Sequence, residues 1–330
     1  MKISVLKNIL ANEPKYRLEQ AKKAVFVDLI KSWNEATTLS AQLRDELNEK
    51  CPLEIKAEIF ESKDKKTAKA LIDLDDGLKI ESVLMRYESE RNTVCVSSQV
   101  GCALGCGFCA TGKMGFKRNL LVDEIIEQVL FFKRLLKGNN KITNIVFMGM
   151  GEPFLNYDNV LTTIKILNDP RGFNLGARHF SISTAGIIEG IEKLAFEELQ
   201  INLAISLHAT DDNLRSKIMP INKKYPIKKI LAAVDKYIKK TNRKVMFEYI
   251  MINGINDNER QAGELAKLMK KPLYFVNLIP CNLVGDFRPS PQKKVEKFKE
   301  ILKKNRVQVN QRYSFGQDIL AACGQLAGKS

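Results

Sequence analysis

Between about residue 90 and residue 280, apolar runs of strand length alternate with longer amphipathic segments, and this alternation restricts the possible folds of the chain most strongly. Six β/α units in series predict a parallel sheet with right-handed crossovers. Because there are six units rather than eight, we expect an incomplete (β/α)6 barrel of the α/β class. The predicted strands cover residues 93–99, 144–148, 179–183, 202–207, 245–251 and 273–279, and the predicted helices cover 122–136, 157–167, 187–194, 227–240 and 257–269.

Residues 1–90 lack this alternation and are predicted to form a separate N-terminal unit. Apolar residues at helical spacing predict helices over 16–33 and 37–48. Residues 57–74 and 78–85 are predicted to be extended, with a hairpin turn at Asp75-Asp76-Gly77 between them. The chain is therefore predicted to consist of a small helical accessory domain with a short linking sheet (1–90) and a partial-barrel domain with a C-terminal extension (91–330).

Composition excludes several classes of protein. Hydrophobic residues make up 45% of the chain and charged residues 28%, which is typical of globular proteins. No uncharged apolar run reaches the roughly 18 residues of a membrane span, and charges interrupt the first twenty residues, so that we expect neither a membrane protein nor a signal peptide. A cytoplasmic location follows as an expectation. There, the seven cysteines favour metal binding or redox chemistry over structural disulfides.

Positive charge is concentrated in the last third of the chain. The formal net charge is +15, but residues 1–214 contain 28 basic and 29 acidic side chains, whereas residues 215–330 contain 25 and 9. Such an excess either contacts a polyanion such as RNA or covers solvated helix faces, and both interpretations stay open.

Three cysteines within eight residues follow the first predicted strand, in the loop Cys102-Ala-Leu-Gly-Cys106-Gly-Phe-Cys109. A four-iron cluster ordinarily uses four cysteines, so three would leave one iron open for a small ligand. Zinc is the main alternative, but structural zinc requires a fourth ligand, and the only two histidines, His179 and His208, are distant in sequence.

This C-x-x-x-C-x-x-C loop resembles the signature of the radical S-adenosylmethionine (SAM) superfamily, whose partial β/α barrel matches the predicted fold. Longer stretches resemble one group within it, the RlmN/Cfr adenosine methyltransferases of 23S ribosomal RNA. These stretches are VCVSSQVGC (94–102), GMGEP (149–153), SLH (206–208), MPINKKY (219–225) and AACGQL (321–326).

The resemblance implies methylation of adenine C2 at adenosine 2503 of 23S rRNA and adenosine 37 of tRNA, with two SAM molecules used per turnover. It also implies one [4Fe-4S] cluster, bound by Cys102, Cys106 and Cys109 and completed by SAM. A flavodoxin system is the kind of electron donor expected, and no obligate protein partner is expected. The SAM-binding residues implied are Gly151, Glu152, Ser183, Ser206, Leu207, His208 and Asn282.

The resemblance further implies a route through two cysteines. Cys323 takes a methyl group from the first SAM and becomes S-methylcysteine. The reduced cluster splits the second SAM, and the resulting 5′-deoxyadenosyl radical removes hydrogen from that methyl group, which then adds to adenine. Cys95 releases the product through a transient disulfide with Cys323, and Glu81 acts as proton acceptor. Considered without the resemblance, Glu81 reads as a solvent-facing strand residue. Cys51 and Cys281 receive no role.

Alternatives remain within and outside this group. A Cfr-like enzyme would methylate C8 of the same rRNA adenosine, but Cfr sequences carry alanine where this chain has Pro153, and Asn156 also favours the RlmN type. A zinc-containing RNA-binding protein is the alternative from a different class. Basic residues of the N-terminal unit form a hypothetical second RNA contact: Lys15, Arg17, Lys22 and Lys23.

Overall fold

A single ten-stranded sheet runs through the computed structural model, which describes residues 2–136 and 140–328. A separate two-stranded ribbon joins β5 (Gln99–Gly101) and β6 (Phe116–Asn119). The strands of the large sheet are β1 (Ala57–Glu61), β2 (Thr67–Asp73), β3 (Lys79–Arg86), β4 (Asn92–Val96), β7 (Asn144–Phe147), β8 (Phe180–Thr184), β9 (Asn202–Ser206), β10 (Val245–Met251), β11 (Tyr274–Pro280) and β12 (Val309–Gln311).

The sheet has an antiparallel part and a parallel part. Its order is β1-β2-β3-β4-β7-β8-β9-β10-β11-β12, in which β1 to β4 pair antiparallel and β4 to β12 pair parallel. The predicted α/β fold with a parallel sheet is therefore confirmed. No helix in the described ranges is long and apolar enough to cross a membrane. The α-helices are α1 (Ile3–Ile9), α2 (Lys15–Phe26), α3 (Ala41–Lys50), α4 (Ala110–Lys113), α5 (Val122–Leu135), α6 (Tyr157–Asn168), α7 (Ile188–Leu194), α8 (Asp212–Ile218), α9 (Ile227–Thr241), α10 (Glu259–Leu268) and α11 (Gln292–Lys304).

The six predicted parallel strands match β4 and β7 to β11, with one difference. The strand predicted over 93–99 ends at Val96, because the chain turns at Ser97 and Ser98 and continues as β5. A seventh parallel strand, β12, was not predicted. Its three residues are too few to give a recognisable apolar run. The strand forms through its pairing with β11, in which Val309 lies opposite Val276.

The N-terminal expectations need three corrections. The helix predicted over 37–48 is α3, which begins only at Ala41, after the N-cap Ser40. The helix predicted over 16–33 ends at Phe26. Beyond it, Leu29 takes a φ of +58° and Ile30 N–H donates back to Ala24 O, which ends the helix. The extended segment 57–74 is two strands, β1 and β2, joined by a turn. The hairpin turn at 75–77 is present, with Gly77 at φ +79°.

The proposed domain division at residue 90 stays a prediction. The β3–β4 pairing, for example Val83 with Cys95, carries the sheet through this point. One apolar core also includes side chains from both sides of residue 90, such as Leu47 and Phe147.

The parallel sheet curls around an interior. The side chain of Arg312, directly after β12, reaches Met148 Sδ beyond β7 (3.4 Å) and Glu248 on β10 (3.2 Å). Four strands separate β7 from β12 in the sheet, so a flat sheet could not bring these residues together.

Candidate active site

Two cavities meet near the carboxyl ends of the parallel strands. The upper cavity, of about 160 Å³, lies against the three-cysteine loop. The barrel cavity, of about 720 Å³, fills the interior of the curled sheet. The residues that line both mark their junction: Cys109, Met148, Gly149, Ile279, Arg312, Cys323 and Gly324.

Glycines and backbone hydrogen bonds shape the three-cysteine loop. Gly101 has a φ of +75°, and a Cβ there would lie 1.8 Å from Gly115 O, so only glycine fits. Cys102 N–H donates to Gly115 O (3.0 Å), and Gly107 N–H donates to Ile218 O (3.0 Å). The loop is thereby attached to the β5–β6 ribbon on one side and to the end of α8 on the other.

The three loop cysteines are half-buried, and the surroundings of Cys102 and Cys106 fit an iron–sulfur cluster. Desolvation raises the pKa of Cys102 to about 11 and also raises that of Cys106, and neighbouring thiols add to both shifts. Thiolates placed there need compensating positive charge, which cluster iron supplies. Among the described residues, no three His, Cys, Asp or Glu side chains converge on a point that one metal ion could occupy. A four-iron cluster needs no such convergence, because each cysteine binds a different iron.

The turn over residues 149–152 is held by the segment that follows β4. Met150 N–H donates to Ser97 Oγ (2.9 Å), and Glu152 N–H donates to Gln99 Oε1 (2.8 Å). Gly151 has a φ of +101°, and a Cβ there would lie 2.5 Å from the Gln99 side chain. Sequence reasoning did not single out Ser97 or Gln99, although both lie in the VCVSSQVGC stretch that carried the resemblance.

Glu152 is a buried carboxylate at the wall of the upper cavity. Its Oε1 accepts from Phe154 N–H (3.0 Å) and its Oε2 from Ala185 N–H (2.7 Å). Desolvation nevertheless raises the pKa of Glu152 to about 7. No basic side chain hydrogen-bonds to it in the described part of the chain, so the carboxylate is suited to receive a cationic group of a ligand.

Three further predicted SAM contacts line the same cavity: Ser183, Ser206 and His208. The two serine hydroxyls lie 3.5 Å apart at the ends of β8 and β9. His208 Nδ1 accepts from Ile250 N–H (3.1 Å), and desolvation lowers the pKa of His208 to about 3. The neutral ring therefore carries its proton on Nε2, which leaves a hydrogen-bond donor for a ligand.

Leu207 contributes through its backbone, because its side chain is fully buried. Its carbonyl accepts from Nε of Arg215 (3.0 Å). The buried Arg215 guanidinium also donates to Ala185 O (2.7 Å) and Ser206 O (2.9 Å). Arg215, which sequence reasoning missed, thus fixes the carboxyl ends of β8 and β9 beneath the loop.

The C-terminal segment brings Cys323 to the junction of the cavities. Gly324 O accepts from Ala110 N–H (2.7 Å), and Leu326 O accepts from Thr111 Oγ1 (2.7 Å), which ties the segment to α4. Asn282 Nδ2 donates to Cys323 O (2.9 Å). Asn282 lines neither cavity, so the structure brings it to Cys323 rather than to the other predicted SAM contacts.

Cys95 and Cys323 face the same barrel cavity. Cys95 is buried on β4, and desolvation raises its pKa, with the nearby Cys323 thiol adding to the shift. Cys323 keeps an exposed surface, although the protein around its sulfur raises its pKa by desolvation too. Close by, Arg312 pairs with Glu248, whose Oε2 is buried without a hydrogen-bond partner.

Glu81 is buried, which corrects the expectation of a solvent-facing residue. Its Oε1 pairs with Lys69 Nζ at 2.7 Å, in surroundings where both side chains are at most 5% exposed. Its Oε2 accepts from Ala327 N–H (2.6 Å) and Gly328 N–H (3.0 Å). Glu81 lines neither cavity, and its Oε2 contacts the segment that carries Cys323.

The two cysteines without an assigned role are packing residues. Cys281 is fully buried beside the three-cysteine loop in a small apolar cluster with Phe108 and Ile250. Cys51 is fully buried in the N-terminal unit, where its carbonyl accepts from the Trp33 indole (2.7 Å).

A family model and curated relatives match this chain over much of its length. The family model of the radical SAM superfamily matches residues 96–266. The chain is 46% identical to the probable dual-specificity RNA methyltransferase RlmN of Dictyoglomus turgidum, across 98% of this chain and 94% of that protein. It is 45% identical to the ribosomal RNA large subunit methyltransferase N of Nitrosopumilus maritimus, across 94% and 92% of the two chains.

Solved structures point the same way. The crystal structure of a radical SAM methyltransferase from Sphaerobacter thermophilus superimposes with a TM-score of 0.95 at 41% identity, covering 100% of this chain and 98% of that one. The structure of HydG, a maturase of the [FeFe]-hydrogenase, matches with a TM-score of 0.52 at 14% identity and shares the fold alone.

Proposed function

The chain belongs to the radical SAM superfamily and, within it, to the RlmN family, and on this premise we propose that it methylates C2 of adenosine in RNA. Adenosine 2503 of 23S rRNA and adenosine 37 of tRNA are the proposed targets. One arrangement carries the proposal. Cys323 lines both cavities, Cys95 lines only the barrel cavity, and Cys102 and Cys106 line only the upper cavity.

This arrangement separates two halves of a methyl transfer. The upper cavity offers SAM a carboxylate at Glu152, hydroxyls at Ser183 and Ser206, and a ring N–H at His208. Gly151 lines the same cavity, and its missing side chain leaves room for Gln99 behind it. When bound at Cys102, Cys106 and Cys109, a [4Fe-4S] cluster supplies the electron for reductive cleavage of SAM.

Cys323 carries the methyl group from one cavity to the other. Its sulfur, as thiolate, takes the methyl of a first SAM. After that methyl carbon has added to adenine, loss of one electron, which a bound cluster would accept, and of the C2 proton to the proton acceptor leaves a thioether. The Cys95 thiolate then forms an S–S bond with Cys323 while the S–C bond to the product breaks, and the released carbon takes up a proton. Because both thiols face the barrel cavity, this exchange needs no transfer of the product to another site.

Two of the other predicted site residues act on this machinery indirectly. Leu207 holds Arg215 through its carbonyl, and Asn282 holds the backbone of Cys323. Glu81 is retained as the proposed proton acceptor. Its contacts with Lys69, Ala327 and Gly328 must then open for it to reach the base.

The decisive experiment follows the methyl group. Anaerobically reconstituted protein incubated with SAM should show one added methyl on the peptide that contains Cys323. The Cys95→Ala variant should still methylate Cys323 and should then accumulate a covalent protein–RNA adduct, because nothing resolves the thioether. An unmodified Cys323 peptide in the wild-type protein contradicts the proposal.

Two alternatives are separated by simple measurements. Nucleoside analysis that found 8-methyladenosine instead of 2-methyladenosine would identify a Cfr-like activity. A colourless protein with one zinc and no iron would favour the zinc-containing RNA-binding protein. A cytoplasmic location and a flavodoxin-type electron donor complete the proposal.

A further inference from the structure

We propose that RNA enters the barrel cavity at the amino-terminal ends of the parallel strands, where Tyr87, Arg91 and Phe315 form a platform that stacks a base. The inference rests on the proposed function and adds the route by which the target nucleotide reaches Cys323. We call these three side chains the entrance platform.

The carboxyl end of the barrel is occupied by the chain itself. The three-cysteine loop, α4 and the C-terminal segment lie there, and the bonds from Ala110 to Gly324 and from Thr111 to Leu326 join them. Cluster and SAM would occupy the upper cavity on the same side. A nucleotide must therefore approach the junction from the other end of the strands.

The barrel cavity extends along the full height of the strands. Asn144 and Asn202, the first residues of β7 and β9, line it at the amino end, and Met148 lines it near Cys323 at the carboxyl end. The exposed Asn310 of β12 also lines it. A volume of about 720 Å³ lies within the usual range of small-molecule pockets.

The lining has the charge and hydrogen-bonding groups that a nucleotide requires. Arg91 and Lys244 line the cavity, as does Arg312, which is paired with Glu248, and no Asp or Glu of the described residues lines it. Cations suit the phosphates, whereas amide side chains pair with base edges, in particular with adenine. The amides in the lining are Asn144, Asn202, Asn277, Gln308, Asn310 and Gln311.

Aromatic rings stand at the entrance. Tyr87 and Phe315 meet edge to face with centroids 4.9 Å apart, and the Arg91 guanidinium lies 3.7 Å from the centre of the Tyr87 ring. Tyr313, 79% exposed, lines the same cavity. RNA-binding proteins stack splayed bases on such aromatic and guanidinium surfaces. A base that leaves its helix loses its stacking, and the entrance platform offers a replacement.

The entrance platform is held by regular structure. Tyr87 N–H bonds to Arg91 O (2.9 Å) and closes the turn between β3 and β4. Gly316, after Phe315, has a φ of +64°, and a Cβ there would lie 2.7 Å from Thr67. Glu88, an acid in the same turn, is paired with Lys66 (2.8 Å).

The test compares Tyr87→Ala with a matched control. Phe196 is 74% exposed and packs under Lys240 (3.5 Å), so Phe196→Ala removes a similar aromatic–cation contact outside the barrel. The measurements are kcat/KM for tRNA and for a 23S rRNA fragment, RNA affinity, and methylation of Cys323 by SAM without RNA. We expect Tyr87→Ala to lower kcat/KM for RNA about tenfold or more, because the stacking of one base is removed, with Cys323 methylation unchanged. Phe196→Ala should change neither.

Two further variants of Tyr87 distinguish the loss of the ring from misfolding of the protein. Tyr87→Phe keeps the ring and should retain activity, whereas Tyr87→Leu keeps the bulk but not the ring and should behave as Tyr87→Ala. A kcat/KM for Tyr87→Ala and Tyr87→Leu within twofold of wild type overturns the entrance platform, as does an equal loss in Phe196→Ala. A wild-type protein that does not methylate Cys323 refutes the proposed function itself, and this inference with it.

Discussion

Glu152, a proposed SAM contact, links the proposed SAM binding to pH. Its carboxylate is buried beside the three-cysteine loop and accepts two backbone N–H groups, yet desolvation raises its pKa to about 7. The charged form is the one that attracts an ammonium group. It is present above the pKa and is lost as the pH falls through that value.

We therefore expect the affinity of the cluster-loaded protein for SAM to fall as the pH is lowered from 8.5 to 6, approaching tenfold per pH unit below the pKa. Equilibrium dialysis at several pH values measures this. Glu152→Gln should bind SAM weakly with a flat pH profile. Tighter wild-type binding at pH 6 than at pH 8 contradicts the assignment.

Glu81 gives a second prediction at this scale. Glu81→Gln keeps an oxygen that can accept from Ala327 and Gly328 but removes the charge opposite Lys69. If Glu81 accepts the C2 proton, the variant should methylate Cys323 normally and then accumulate the protein–RNA adduct, detected by mass spectrometry.

Thermal unfolding of Glu81→Gln is the control, because it shows whether the variant remains folded. Lys69→Met leaves the buried carboxylate unpaired and should lower the free energy of unfolding by about 3–5 kcal/mol. Its unfolding temperature is therefore the reference for a protein in which this ion pair is lost. Loss of Cys323 methylation in Glu81→Gln would show that Glu81 acts by holding the C-terminal segment instead.

Among the elements, the β5–β6 ribbon shapes the three-cysteine loop, which is the proposed cluster site. Its first strand, β5, begins at Gln99, with two residues between it and the end of β4, and the cysteine loop follows directly after β5. The backbone of Gly101 approaches Gly115 O so closely that Gly101 has no space for a side chain. The loop conformation therefore depends on the ribbon as much as on the cysteines.

Gly101→Ala should abolish cluster incorporation, because the Cβ would collide with Gly115 O in addition to straining a positive φ. Gly105→Ala in the same loop is the matched control. Its φ is +62°, but its Cβ would meet nothing within 4 Å, so only strain of roughly 1–2 kcal/mol is expected. Iron content after anaerobic reconstitution separates the two, and equal iron in both variants would refute the argument.

At the scale of the whole molecule, the positive charge of the last third remains the main candidate for long-range RNA attraction. Many of its lysines lie on α9 and α11, on the outside of the barrel. In the N-terminal unit, by contrast, Lys22 pairs with Glu19, Lys23 pairs with Asp28, and Arg17 bonds to Thr38 O. The second RNA contact there stays a hypothesis.

Replacing Lys228, Lys229 and Lys239 by Gln should reduce the salt dependence of RNA binding, by about 0.7 in the log–log slope for each phosphate that is no longer neutralised. The slope is obtained from the RNA affinity measured between about 50 and 300 mM salt, a range that includes physiological ionic strength. Replacing the exposed Lys31, Lys56 and Lys63 is the control. An unchanged slope for the α9 variant removes that helix from the interface.

The sequence alone predicted the elements and motifs whose signal is local. Strand-length apolar runs located β4 and β7 to β11, because parallel strands buried on both faces must be continuously hydrophobic. The spacing of Cys102, Cys106 and Cys109 likewise predicted a cluster loop, since residues in one short loop lie close together whatever the rest of the chain does.

Tertiary structure alone decided what depends on contacts between distant segments. β12 is too short to have its own signal and exists through its pairing with β11. Glu81 is buried because Lys69 and the C-terminal backbone cover it, and Asn282 contacts Cys323 because the segment folds back onto the barrel. The two cavities, with Cys323 at their junction, arise only when the sheet curls, and no local pattern of residues encodes that closure.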